Sequence, residues 1–212
     1  MEKKQAAATG PTESSKATED RDEAPVRALI EQIKQGNQQA FTQLVHMYRN
    51  QVASIAYKLV NDYDEAADIS QTVFVKVAKN IWRYDDRKKF YTWLYRITVN
   101  ASIDHMRKNR RHHHEPLENF HETLESSLAT PELTYQKQQL ESHIEQAAQS
   151  LNDKQRSAFM LRDVEGCKID DVANIMGMPE ATVRWYLHRA RTKVKKELRR
   201  RCPQLLVLMG IR

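Results

Sequence analysis

Arg184, His188, Arg191 and Lys195 recur every three or four residues, so a helix would carry them as one cationic stripe, with Trp185 and Arg189 beside it. A guanidinium can donate two parallel hydrogen bonds to a guanine edge or hold a phosphate, and an indole can lie against a thymine methyl. A second cationic group runs from Arg87 to Arg111: Arg87, Lys88, Lys89, Arg96, Arg107, Lys108, Arg110 and Arg111 are opposed only by Asp104. Asn100 lies among them, and its amide both donates and accepts, as a base edge requires. The 212-residue chain carries a net charge of +6, and the concentration of that charge in two places points to a polyanion gripped twice.

The elements that must hold these side chains are helices. Before the first stripe, Ile169, Val172, Ala173 and Met176 form an apolar helical face. Gly177 then supplies a residue that tolerates a left-handed turn, and Pro179 suits the start of the next helix. That helix turns Val183, Leu187, Ala190 and Val194 inward, and Glu197 is its only acid between Arg184 and Arg201. Two helices joined by a tight glycine turn, the second cationic, are the helix-turn-helix arrangement for entering a major groove.

Upstream, helical periodicity starts near Pro25 with Val26, Leu29, Ile30 and Ile33 and breaks at Gly36-Asn37. A second helix turns Phe41, Leu44, Val45, Tyr48, Val52, Ile55, Ala56 and Leu59 inward, and a break follows at residues 61–64. A third carries Ala66, Ile69, Val73, Phe74 and Val77. After the polar loop 84–89, a fourth runs from Phe90 to Arg111 and buries Trp93, Leu94, Ile97 and Ile103. Residues 112–134 contain no Lys or Arg and several Glu, which reads as a flexible acidic linker. Beyond it, Leu140, Ile144 and Ala148 share a helix face, 151–153 form a cap, and Ala158, Phe159, Leu161 and Val164 are buried. The fold expected is all-α: two small helical domains, 25–111 and 135–201, between tails at 1–24 and 202–212, the first tail too polar to order itself.

Other chemistries are weaker matches. Asp62, Asp64, Glu65 and Asp68 could suggest a two-metal nuclease, but acids crowded at a helix start favour the dipole, and no partner carboxylate completes a site. His112, His113, His114 and His121 could capture a transition metal, yet they lie in the linker without cysteine partners. There is no glycine-rich phosphate loop and no nucleophile motif. No enzymatic activity, metal or cofactor is expected. Cys167 and Cys202 are too few for a disulfide framework, and no apolar run reaches membrane-spanning length, so a reduced cytoplasmic protein is expected.

Two segments in order, DISQTVFVKV…FYTWLYRITVNASIDHMRKNRR and then LNDKQRSAFMLRDVEGCKIDDVANIMGMPEATVRWYLHRARTKV, resemble the extracytoplasmic-function group of bacterial sigma factors, across about 25–111 and 136–200. The resemblance implies that the first domain binds core RNA polymerase and the promoter −10 element while the second reads −35. It implies polymerase contacts at Asp68, Gln71, Val73 and Phe74, with Phe74 open between interface and core. It implies −10 contacts at Tyr84, Phe90, Arg96, Asn100, Asp104 and Arg107, where Tyr84, Phe90 and Tyr91 flank a loop that captures an unstacked base of the opened non-template strand. In this chain that loop reads Asp85-Asp86-Arg87-Lys88-Lys89, without the family's glycine. For −35 it implies Thr182, Arg184, Trp185, His188, Arg189 and Arg191, with Trp185 open between base contact and packing, and Thr182 between cap and phosphate contact. Further implications are a monomer, double-stranded promoter DNA as partner, a linker passing through the polymerase channel, and a membrane-anchored anti-sigma factor clamping both domains. The rival reading is a stand-alone helix-turn-helix regulator that dimerises on operator DNA.

Overall fold

The computed structural model describes residues 23–112 and 142–201. In chain order the helices are α1 (Glu23–Lys34), α2 (Gln38–Val60), α3 (Tyr63–Asn80), a 3₁₀ turn (Ile81–Arg83), α4 (Phe90–His112), α5 (residues 142–148), α6 (Asp153–Phe159), which opens into a π turn (Met160–Val164), α7 (Ile169–Met176) and α8 (Glu180–Arg201). No strand occurs among the described residues. The all-α expectation holds, with a helix-turn-helix closing the second bundle. The proposed linker, the His cluster beyond His112, Leu140 and both tails except Glu23 and Ala24 lie outside the described residues, as do the side chains of Arg110 and Arg111.

Local chemistry sets the helix ends. Asn37 caps α2 by accepting from the Gln39 and Ala40 N–H groups, and Asp62 caps α3 by accepting from Glu65 at 2.9 Å. The acids at 62–65 therefore serve a helix start. Asn61 ends α2 in the left-handed region at φ 61°, a conformation asparagine adopts more readily than other non-glycine residues. Asn152 and Gln155 form a reciprocal capping box that starts α6. Gly177 takes φ 63°, ψ 40° as the turn of the helix-turn-helix requires, and the Met178 N–H closes it on the Ala173 carbonyl at 3.1 Å. Pro179 stands just before α8, its carbonyl accepting from the Thr182 and Val183 N–H groups.

The first bundle packs α1 to α4 around Ile30, Leu44, Leu59, Val73, Val77, Ile81, Phe90 and Leu94, all essentially inaccessible. Burying a side chain of this size contributes about 1.5–3 kcal/mol. Tyr48, Tyr84 and Trp93 surround Phe90 with ring centroids 5.2 to 5.7 Å away, an aromatic nest at the start of α4. The second bundle packs α5 to α8 around Ala148, Leu161, Val172, Ile175, Val183 and Leu187. Two expectations fail here. Val164 is exposed, because the π turn shifts the register past Leu161, and Trp93, Ile97 and Ile103 are only half-buried while Tyr91 and Tyr95 are buried.

The second bundle also rests on the first. α7 lies against α4, and α6 and the π turn lie against α2. The bundles were expected to act as separate modules, so this docking is a finding of the structure. Replacing Asn152 with Ala should lower unfolding stability by about 1 kcal/mol in urea titration, since the Gln155 N–H loses its acceptor.

Candidate nucleic-acid and protein interfaces

α8 has one face in the core and one cationic face in solvent. Its inward positions Val183, Leu187, Ala190, Val194 and Leu198 fix it to the second core, which leaves Thr182, Arg184, Trp185, His188, Arg189 and Arg191 facing outward. Trp185 is 52% exposed, with the Arg189 guanidinium over its ring at 5.3 Å and Tyr186 at 5.0 Å. Trp185 is therefore half open to solvent and not part of the core. Thr182 lies inside the first turn and donates its own N–H to Pro179, so it does not cap α8. A cavity of about 400 Å³ opens between α8 and the start of α7, lined by Arg162, Ile169, Arg184, Leu187, His188, Arg191, Thr192 and Lys195.

Two of these arginines are engaged inside the protein. Arg184 pairs with Glu180 at 3.0 Å on the helix surface, an exposed contact of small energetic weight. Arg191 donates to both oxygens of Asp163 at 2.8 and 2.6 Å, and those hydrogen bonds raise its pKa further above the ordinary guanidinium range. Asp163 thus neutralises one cation at the edge of the reading face.

On α4, Arg96, Asn100, Asp104 and Arg107 are exposed at helical spacing and form one stripe. Asp104 leans over a groove of about 740 Å³ between α3 and α4, which it lines with Asp68, Gln71, Val75, Lys79 and Lys108 among others. It therefore borders this groove as well as the basic stripe. Tyr84 and Phe90 do not reach the surface. Phe90 is 1% exposed, and Tyr84 is buried with its hydroxyl donating to the Lys88 carbonyl. Their aromatic faces are spent on each other, so neither offers a stacking platform in this state. Trp82, on the 3₁₀ turn, is the exposed aromatic at 65% and was missed, because a three-residue turn gives no periodicity to read. The loop after it is shaped without glycine: Asp85 accepts from the Arg87 backbone N–H at 3.1 Å and from its guanidinium at 2.9 and 3.0 Å. Those hydrogen bonds hold the Asp85 carboxyl below its usual pKa.

Along α3, Asp68 and Gln71 are exposed as expected and Phe74 is half-buried against the core. Val73 is 0% exposed and belongs to the interior, whereas Val75, 53% exposed, is an apolar side chain open to the groove, where Ile69 and Ala101 are buried beneath it. The misassignment comes from adjacency: Val73, Phe74 and Val75 run consecutively, and only the helical phase separates them. Among the described residues no cluster of three metal-ligating side chains occurs, and no helix is long and apolar enough to cross a membrane.

Comparison with known proteins matches the two bundles to two family segments. Residues 44–112 match Sigma-70 region 2, and residues 143–194 match Sigma-70, region 4. The chain is 29% identical over 184 residues to the ECF RNA polymerase sigma factor SigW of Bacillus subtilis, covering 84% of this chain and 98% of that one. It is 31% identical to the RNA polymerase sigma-H factor of Pseudomonas aeruginosa, covering 80% and 92%, and 32% identical to the ECF RNA polymerase sigma-E factor of Haemophilus influenzae, covering 81% and 94%. Its fold is similar to that of CnrH, solved with the cytosolic domain of CnrY, at TM-score 0.61 and 23% identity over 82% of this chain and 97% of that one. It is also similar to RpoE of Bartonella quintana, solved with the anti-sigma factor NepR, at TM-score 0.59 and 22% identity over 75% and 96%.

Freeing Arg191 should strengthen nucleic-acid binding. Asp163→Asn is expected to tighten duplex binding at low salt and to steepen the slope of log affinity against log salt by about 0.9, one added phosphate contact. Fluorescence anisotropy across a salt series reads both.

Proposed function

From the premise that this chain belongs to the extracytoplasmic-function group of sigma-70 factors, we propose how its two helical bundles divide promoter recognition. It binds core RNA polymerase and directs initiation at particular promoters. The observation that carries this is the order of two unlike family segments, region 2 and then region 4, each falling on its own bundle. A regulator built only around a helix-turn-helix would not require the first segment. The polymerase supplies the reaction, and this chain supplies the address.

In this reading α8 enters the major groove of the −35 element. Arg184, Trp185, His188 and Arg189 face base edges, while Thr182 and Arg191 lie near phosphates, an assignment supported by their common exposure on one helix. The α4 stripe meets the −10 element, with Asn100 at a base edge and Arg96 and Arg107 on phosphates. Trp82 replaces Tyr84 and Phe90 as the aromatic face for an unstacked base of the non-template strand, because it alone of the three is open to solvent. Asp68, Gln71 and Val75 make up the polymerase-facing patch, an apolar centre with a polar rim in the groove between α3 and α4. The protein acts in the cytoplasm as a monomer, and an anti-sigma factor, such as the one bound to the Bartonella relative, restrains it.

The deciding experiment adds purified protein to bacterial core polymerase and a genomic promoter pool. Discrete transcripts that start at sites sharing two separated elements are expected. Transcripts unchanged by the protein would end the reading. Within that assay, Val75→Asp should weaken association with core polymerase more than tenfold while leaving duplex binding intact, because a charge would occupy the apolar centre of the patch. Arg184→Ala should cost about 1–3 kcal/mol of discrimination at one −35 position. A uniform loss over all promoters would make Arg184 a phosphate contact instead.

A further inference from the structure

The arginines on the outward face of α8 are held in different ways. Arg184 donates to Glu180 at 3.0 Å, and Arg191 commits donors to both oxygens of Asp163. Glu197, the next acid along the helix, is taken by Arg200 and Arg201. Arg189 makes no hydrogen bond or ion pair among the described residues. Its guanidinium carbon stands instead 5.3 Å from the centre of the Trp185 ring, one helical turn back. Trp185 is in turn met by Tyr186, whose ring lies 5.0 Å away at 73°, and Tyr186 packs against the core. A line of contacts thus runs from the core through two aromatic rings to an exposed cation.

The two ways of holding a guanidinium differ in what they leave available. A carboxylate occupies N–H donors, and those donors are the groups that read a base edge. An aromatic ring attracts the cation through its face and occupies none of them, because the N–H bonds lie in the guanidinium plane. An arginine that rotates freely loses rotamer freedom when it docks. One already laid on a ring has given up much of that freedom beforehand. Tryptophan has the most attractive ring for this purpose.

We infer that Trp185 is a positioning residue for Arg189: the indole acts on the −35 element through the guanidinium it holds, by fixing the plane in which Arg189 meets one base edge, and not by a base contact of its own. The assignment rests on the sigma-factor reading for the identity of the element and adds how one of its bases is chosen. Guanine, whose O6 and N7 accept side by side, is the edge that suits a guanidinium held in one plane. The preference of α8 for that base pair then depends on two side chains four residues apart, of which only Arg189 touches it.

Base preference tests this directly. The full chain is titrated by fluorescence anisotropy at low salt onto the −35 duplex preferred by the wild type, and onto duplexes with each base pair changed in turn. Arg189→Ala should erase the preference at one base pair, a loss of roughly tenfold. Trp185→Leu should lower the preference at that same base pair by about two- to fivefold and leave the others unchanged. Added to Arg189→Ala it should change nothing further, since the ring then has no cation to hold. Trp185→Phe keeps an aromatic face and should recover part of the loss. The contact also has a signature without DNA: in NMR spectra of the free chain the indole ring current should shift the Arg189 side-chain resonances, and Trp185→Leu should remove that shift. Trp185 lies outside the core, so the urea midpoint of its variants should match the wild type. A loss at a different base pair, an equal loss at every base pair, losses that add in the double variant, or Arg189 resonances indifferent to Trp185 would each overturn the assignment. Promoter-directed transcription with core polymerase is measured in parallel. Its failure would strike the sigma-factor reading, while the duplex and NMR comparisons would still decide whether Trp185 positions Arg189.

Discussion

Helix α4 carries three obligations at once, and the rest of the molecule is arranged around them. Phe90, Leu94 and Ala101 anchor it in the first bundle, while Tyr91 joins it to α7 of the second. Arg96, Asn100 and Arg107 remain for solvent or nucleic acid. A helix has room for this only if little of its circumference is idle. The small polar residues Thr98 and Ser102 make it possible: both are fully buried, and each satisfies its hydroxyl on the carbonyl four residues earlier, at 3.0 and 2.9 Å. Polar atoms that return their hydrogen bonds to their own helix can be packed without a partner from outside.

That device also explains which parts of the fold could be read in the residue order and which could not. The first bundle's helices, their breaks at Gly36-Asn37 and Asn61, the cap at Asn152 and the turn at Gly177 were legible because each depends on a local rule: periodicity, side-chain capping or a left-handed φ. The second buried face of α4 was not. Thr98, Ser102 and the tyrosine hydroxyls look like surface chemistry until a neighbouring helix covers them. Arg156 and Asp171 are the same problem in sharper form, since a charged residue within an amphipathic segment reads as solvated unless the distant carbonyl or hydroxyl that receives it is known.

The reading faces show a similar divide. On α8, exposure follows from periodicity, so the whole set from Thr182 to Arg191 lies outward as read. Around the 84–89 loop it does not. Tyr84 and Phe90 were chosen for aromatic character beside basic residues, but aromatic side chains serve cores at least as well as they serve bases, and here the nest with Tyr48 and Trp93 takes them. Once those rings are committed inward, the loop needs no glycine. Asp85 folds the backbone by accepting from Arg87, and Trp82 is displaced to the surface by a turn too short to bury both of its sides.

Docking and reading are therefore linked through one element. Tyr91, which joins α4 to the second bundle, shares that helix with the outward-facing Arg96, Asn100 and Arg107, and the loop before α4 is braced by the nest that holds its first turn. Any partner that presses on α4 or on the groove beside it acts on a helix already shared between two cores. Asp104 and Lys108 line that groove while neighbouring the basic stripe, so a protein bound between α3 and α4 would touch the helix that carries the stripe. Coupling of this kind needs no long pathway, because one rigid helix touches both neighbours. The economy has a structural cost. A helix shared in this way must accept polar groups among its buried contacts: the Tyr91 hydroxyl meets Asp171, and the Arg156 guanidinium and the Lys58–Glu165 pair join the bundles beside the apolar side chains of one continuous core.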